Sequence, residues 1–141
     1  MTNYDATNKN VSTKLNKTYR DIDLSFERDT VTGDIKTLEN TKAVRRAVRN
    51  IIQTSHFERP FHPEIGSDIR NLLFDNISVM NAMGLKKKIL ECISIYEPRA
   101  RVTTINVQPA GDTNSYLCEV TFMVKGFSTP VKIRTSLDRT E

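Results

Sequence analysis

The sequence predicts an α+β fold: three helices packed on one face of a small antiparallel β-meander, with a flexible N-terminal arm. Three observations lead there. Residues 43–52 repeat apolar side chains at three- and four-residue spacing. Two further helical stretches follow, the second stopped by a proline. The last third alternates apolar and polar residues between turn clusters. Helices grouped ahead of strands, not interleaved with them, indicate helices layered on an antiparallel sheet. A length of 141 residues fits one domain, and 38% hydrophobic residues suffice for one modest core.

Residues 1–18 are rich in Asn, Thr and Lys and poor in large apolar side chains. They cannot bury enough surface to offset the entropy of ordering, so they read as the arm. Residues 19–141 form the single domain. Within it Ile22, Leu24 and Phe26 alternate as in a small strand, a turn follows over 30–34, and Ile35 and Leu38 return as a second strand. Asn40 or Thr41 can cap the first helix. Its apolar stripe is Ala43, Val44, Ala47, Val48, Ile51 and Ile52, with Lys42, Arg45, Arg46 and Arg49 opposite, and it ends near Ser55. Pro60 and Pro63 keep the following segment extended, and Phe57, Phe61 and Ile65 are expected to anchor it on the core. Ser67 is a natural N-cap with Asp68 in the first turn, opening a short helix through Ile69, Leu72, Leu73 and Ile77. The third helix starts between Ser78 and Asn81. It lines Leu85, Ile89, Cys92, Ile93 and Tyr96 on one face and stops before Pro98. Strands follow over 102–107, over 116–125 with Tyr116, Cys118, Val120, Phe122 and Val124 facing in, and over 131–137 with Val131, Ile133 and Leu137 facing in.

Little enzymatic chemistry is visible. No apolar run approaches a membrane span, and the opening MTNYDATNKN lacks the pattern of a secretory signal. Cys92 and Cys118 fall on inward faces and read as reduced, buried small hydrophobes. The Asn-x-Ser/Thr triplets at Asn10, Asn16 and Asn76 then carry no glycan. The five glycines are scattered, so no phosphate-cradling loop exists. His56 and His62 lie on a proline-interrupted loop without a metal-ligand pattern. No catalytic, cofactor-binding or metal residue is assigned. Glu64 with Asp68 is the carboxylate pair that a small muramidase would need, but caps and surface ion pairs explain these acids more simply. The stripe from Lys42 to Arg49 could meet phosphates or an acidic protein surface, although a nucleic-acid reader would interleave aromatic residues with the charge. A solvated helix face explains it as well. Lys and Arg exceed Asp and Glu by only four, 21 against 17.

Two features ask for more. Glu97-Pro98-Arg99 places opposite charges on either side of a fixed backbone turn, as directional partners for another chain or as a helix stop with its own ion pair. The final strand, if it lies at a sheet edge, can accept a strand from another subunit, although Lys132 and Arg134 could equally be charges that prevent this.

The run Arg59-Pro60-Phe61-His62-Pro63-Glu64-Ile65-Gly66-Ser67-Asp68, followed by Leu72-Leu73-Phe74-Asp75-Asn76, resembles the signature of the baseplate wedge sheath-initiator family of contractile phage tails. This family is related to the sheath initiator of type VI secretion baseplates. Glu97-Pro98-Arg99 matches its Glu-Pro-Arg motif, and the likeness covers residues 19–137. Relatives often carry Thr-x-x-Gly-Glu-Arg where this chain has Thr54-Ser55-His56-Phe57-Glu58-Arg59, so Phe57 stands where that glycine would be. The resemblance implies a structural virion protein, not an enzyme, although some relatives are labelled lysozymes. It would sit in the tail baseplate, assemble in the host cytoplasm and start the tail sheath by strand pairing. Carried over, Glu97, Pro98 and Arg99 would bind the other wedge subunits. Val131, Lys132, Ile133, Arg134, Thr135, Ser136 and Leu137 would bind sheath protein. The tail tube would be a further neighbour, with six copies around it, and neither cofactor, nucleic acid nor membrane is implied.

Overall fold

Alternation along one strand organises the core. The structure is a computed structural model that describes residues 18–67, 69–110 and 115–138. The strand β4 (Ser115–Val124) buries Tyr116, Cys118, Val120, Phe122 and Val124, the period-two pattern of a strand with one face inward. It is the centre of an antiparallel sheet of order β3-β4-β5, with β3 (Ala100–Ala110) and β5 (Pro130–Asp138) at the edges. Leu117, on the opposite face, is exposed. The β4–β5 register is unbroken from Ser115↔Asp138 to Met123↔Pro130. The β3–β4 register shifts between Val102 and Thr104, where Thr103 is left over as a bulge.

The core cluster joins this sheet to all three helices. Helix α1 (Asn40–Gln53) buries Ala43, Val44, Val48, Ile51 and Ile52, with Ala47 half-buried. Helix α2 (Ile69–Leu73) contributes Ile69 and Leu73, and α3 (Val79–Tyr96) contributes Ala82, Leu85, Ile89, Cys92 and Ile93. Ser78 caps α3 by accepting from the Asn81 N–H. The buried Tyr116 hydroxyl accepts from the Ser78 N–H at 3.0 Å, which ties the start of α3 to β4. A separate ribbon pairs β1 (Arg20–Ile22) with β2 (Thr37–Glu39).

Several local expectations are corrected. Asn40 does not cap α1. It takes a φ of 51°, its side-chain oxygen accepts from the Tyr19 N–H, and its own N–H donates to the Tyr19 carbonyl. The ribbon has recruited the residue. Leu24 and Phe26 leave the ribbon, because Asp23 turns the chain by accepting the Ser25 N–H on its carboxylate and the Phe26 N–H on its carbonyl. Pairing resumes at the isolated bridge Arg28↔Ile35. Phe57 and Phe61 do not anchor their loop: they are 85% and 91% exposed. Ser67 is buried, and its hydroxyl donates to the carbonyls of Ile52 and Thr54, two groups that the end of α1 leaves unpaired. Ile77 lies beyond α2, half-buried in the connection to α3. The sequence also suggests a turn over 110–114; Ala110 instead ends β3, and residues 1–17, Asp68, 111–114 and 139–141 lie outside the described residues.

Candidate functional site

The corner between α3 and β3 is built by three consecutive residues. Pro98 cannot continue a helix, so the chain leaves α3 at Glu97, whose N–H still bonds the Ile93 carbonyl. Glu97 then folds inward and is 3% exposed. Its carboxylate accepts two parallel bonds from the Arg99 guanidinium, Nε to Oε1 at 2.6 Å and NH2 to Oε2 at 2.7 Å. Such a fork-to-fork pair is the strongest geometry available to these groups. Arg99 also reaches Asp21 at 3.5 Å and lies 5.4 Å from the centre of the Tyr19 ring. The Glu97 carboxylate and, less strongly, Asp21 push the Arg99 guanidinium further above its ordinary range, so it is a permanent cation. The sequence left open whether Glu97 and Arg99 face another chain or form a helix stop with its own ion pair. Here they satisfy one another, and Pro98 together with the outer flank of Arg99 is what solvent reaches. Tyr19 and Asp21 were missed, since no local pattern signals a contact across nearly eighty residues.

The edge strand β5 can be read atom by atom. The Lys125 N–H donates to the Arg99 carbonyl, so residue 125 turns its backbone groups toward β3. Backbone direction alternates along a strand. Residues 116, 118, 120, 122 and 124 of β4 therefore turn theirs toward β5. The register partners of the first four, Leu137, Thr135, Ile133 and Val131, are bonded into the sheet. Lys132, Arg134 and Ser136 direct their N–H and C=O groups away from the sheet. Pro130, which has no N–H, falls on the same outward parity. Lys132 and Arg134 do not screen this edge with free charge. Their side chains turn onto the outer sheet face and bond Glu119 of β4, at 2.9 and 2.6 Å. These two bonds hold the Glu119 carboxyl below its ordinary value.

The remaining candidates are distributed, not assembled. The His62 ring nitrogen lies 3.1 Å from the Glu64 carboxylate on an exposed loop. A bond from its own backbone N–H, then the His62 ring, keeps the Glu64 carboxyl low. That is opposite to the raised pKa a general acid needs. Its proposed companion Asp68 lies outside the described residues. Cys92 and Cys118 are free and buried, and desolvation pushes both thiols up to about 11. No cluster of three or more His, Cys, Asp or Glu residues suited to a metal occurs among the described residues. No helix there is long and apolar enough to cross a membrane. On α1, Arg46 bonds Asp23, whereas Lys42, Arg45 and Arg49 make no ion pair among the described residues.

The family described as baseplate wedge protein gp25 matches residues 38–127, from β2 through the corner to the end of β4 and the turn beyond it. The chain belongs to the baseplate wedge protein gp25 family. Baseplate wedge protein gp25 of Enterobacteria phage T4 is 31% identical over 110 residues, covering 78% of this chain and 83% of the T4 protein. Three solved structures share the fold at low identity. A Geobacter sulfurreducens protein labelled a tail lysozyme gives a TM-score of 0.64 at 19% identity, over 70% of this chain and 89% of that one. A chain of the anti-feeding prophage baseplate gives 0.61 at 17%, over 88% of each. A chain of the post-contraction R2 pyocin baseplate gives 0.50 at 16%, over 79% and 96%. The chain is thus a baseplate wedge protein of a contractile tail. Two positions within the matched span have a local physical reason. Phe57 has a φ of 68°, so the loop makes a left-handed turn without glycine, the residue that adopts it freely. Gly66 packs so closely that a Cβ there would lie 2.5 Å from the Ser55 carbonyl carbon.

Proposed function

We propose that this baseplate wedge protein seats on the other wedge subunits through the 97–99 corner and starts sheath assembly by accepting a sheath strand on β5. The single observation that supports this most is that β5 is, among the described residues, an unbulged sheet edge, with Lys132, Arg134 and Ser136 directing backbone groups outward. Strand addition gives many main-chain bonds loaded together, with alternate side chains fixing register. That suits a joint that must hold while a sheath contracts. The seat at the corner is narrower than the motif: Pro98 and the flank of Arg99 make the contact, with Glu97 behind holding Arg99 in place. Six copies around the tube accord with the six-fold symmetry of the anti-feeding prophage baseplate structure. Assembly takes place in the host cytoplasm before the tail is complete. No enzymatic step is assigned.

The test separates the two surfaces. Arg134→Pro removes an outward donor while its exposed side chain contributes nothing to the core. Wedges carrying it are expected to form normally yet fail to start sheath, seen as bare tubes in electron micrographs. Normal sheath on those wedges would sink the pairing. Pro98→Ala with Arg99→Ala is expected to lower co-purification with the other wedge subunits, with circular dichroism confirming a folded chain. Undiminished co-purification would remove the seat. A muramidase reading predicts wall cleavage lost in Glu64→Gln, and no cleavage by the unaltered protein at acidic or neutral pH ends it.

A further inference from the structure

The edge of β5 does not stand alone. A shallow groove beside it is walled by Thr41, Lys42 and Arg45 of α1 on one side and by Thr129, Pro130, Val131 and Lys132 on the other. The same Lys42 and Arg45 continue with Arg49 along the exposed side of α1. We infer that the strand received by β5 carries acidic residues at alternate positions, on the face it turns toward Lys42, Arg45 and Arg49. This rests on the strand-pairing reading above and specifies the chemistry of the partner.

The parity of β5 gives the geometry. A strand added beyond β5 puts one set of side chains on the outer sheet face, level with Lys132 and Arg134. The other set lies on the inner face, level with Val131, Ile133 and Thr135, and so against the flank of α1. The outer set meets cations already bonded to Glu119. The inner set meets cations that have no counter-charge among the described residues. Covering those with an apolar or basic strand would strip water from unpaired charge, which is unfavourable. Spacing also fits. Positions 42, 45 and 49 span roughly 10 Å along a helix. Alternate residues of a strand stand about 7 Å apart. Two carboxylates two residues apart therefore fall within reach of the three cations.

The experiment uses the full-length chain and a nine-residue synthetic peptide of threonine and valine carrying glutamate at positions 4 and 6. The comparison peptide has glutamine at both. Fluorescence anisotropy is expected to show the glutamate peptide bound about tenfold more tightly, the sum of two favourable surface ion pairs. Added salt should erase the difference. The preference should also vanish in the K42Q/R45Q/R49Q variant while glutamine-peptide binding persists. Equal binding of the two peptides overturns this inference alone. A preference that survives in the triple variant overturns it too, and assigns the acids to the outer face. Equal binding of a glutamate peptide N-methylated at alternate amides removes strand pairing and the inference with it, as does no binding by either peptide at millimolar concentration. Tighter binding of a single-stranded thymidine dodecamer than of the glutamate peptide reassigns the stripe to nucleic acid and also overturns it.

Discussion

Phe57 and Gly66 close the 54–67 loop by opposite means. The loop folds back so that Ser55 bridges Ser67, the Phe57 N–H bonds the Pro63 carbonyl, and the Tyr96 hydroxyl donates to the Glu64 carbonyl. Its ends are thus pinned and its tip held, while both phenylalanines face solvent. Left-handed backbone costs an ordinary residue about 1–2 kcal/mol, and glycine returns about 0.5–1 kcal/mol of that as extra chain entropy. With little burial to lose, Phe57→Gly should gain about 0.5–1 kcal/mol in urea unfolding. Gly66→Ala should do the reverse. Its Cβ would press on the Ser55 carbonyl carbon and oxygen and on the His56 nitrogen, all backbone, so a loss of roughly 2–4 kcal/mol is expected. The two thiols give a third readout at this scale. Burial raises both from 9.0 to about 11, so each stays protonated in the folded chain where the unfolded one ionises. Stability from these groups is intact below pH 9 and falls as pH rises from there toward 11. A thiol reagent at pH 8 should leave the native protein unmodified and label it promptly in denaturant.

Among the elements, the corner and the ribbon depend on each other. Arg99 is the shared partner of Glu97, Asp21 and Tyr19, so it fastens β1 against the start of β3. Removing one member of a buried ion pair strands the other. Arg99→Ala leaves Glu97 buried without its cation. Because Arg99 keeps 29% of its side-chain surface, the expected loss is about 2–3 kcal/mol, below the fully buried range. Urea unfolding measures it, and hydrogen exchange should show β1 and β2 opening first. On the outer sheet face, Glu119 is held low by Lys132 and Arg134, so its contribution is present above the ordinary carboxylate value of 4.5 and is lost as pH falls through the lower folded value. Glu119→Gln should therefore narrow the difference in urea midpoint between pH 7 and pH 3.

For the whole molecule, what the sequence made legible follows from the range of the interactions involved. The α1 stripe, the inward set of β4 and the stop at Pro98 rest on neighbours within a few residues, and each stands as expected. The α+β class follows from their order. Asn40 and Ser67 carry good capping chemistry, but each is claimed by a partner far along the chain, Tyr19 for one and the end of α1 for the other. Local propensity cannot register that competition. Phe57 and Phe61 have the composition of anchors, and only the closure of the loop decides that they face outward. The candidate surfaces divide the same way. Glu97 and Arg99 were visible as a pair, but their inward orientation depends on a ribbon nearly eighty residues away. The strand 131–137 was visible as an edge candidate, whereas which of its residues turn their backbone groups outward follows from a single bond between Lys125 and Arg99.

The leftover Thr103 on β3 has a consequence for any array in which this protein takes part. A kinked margin refuses a flat neighbour, whereas a straight one invites it. With one of each, a strand received as proposed would be added on the β5 side and not on the β3 side. An array begun that way would acquire a direction, outward from the first layer, with no separate device needed to stop growth in reverse.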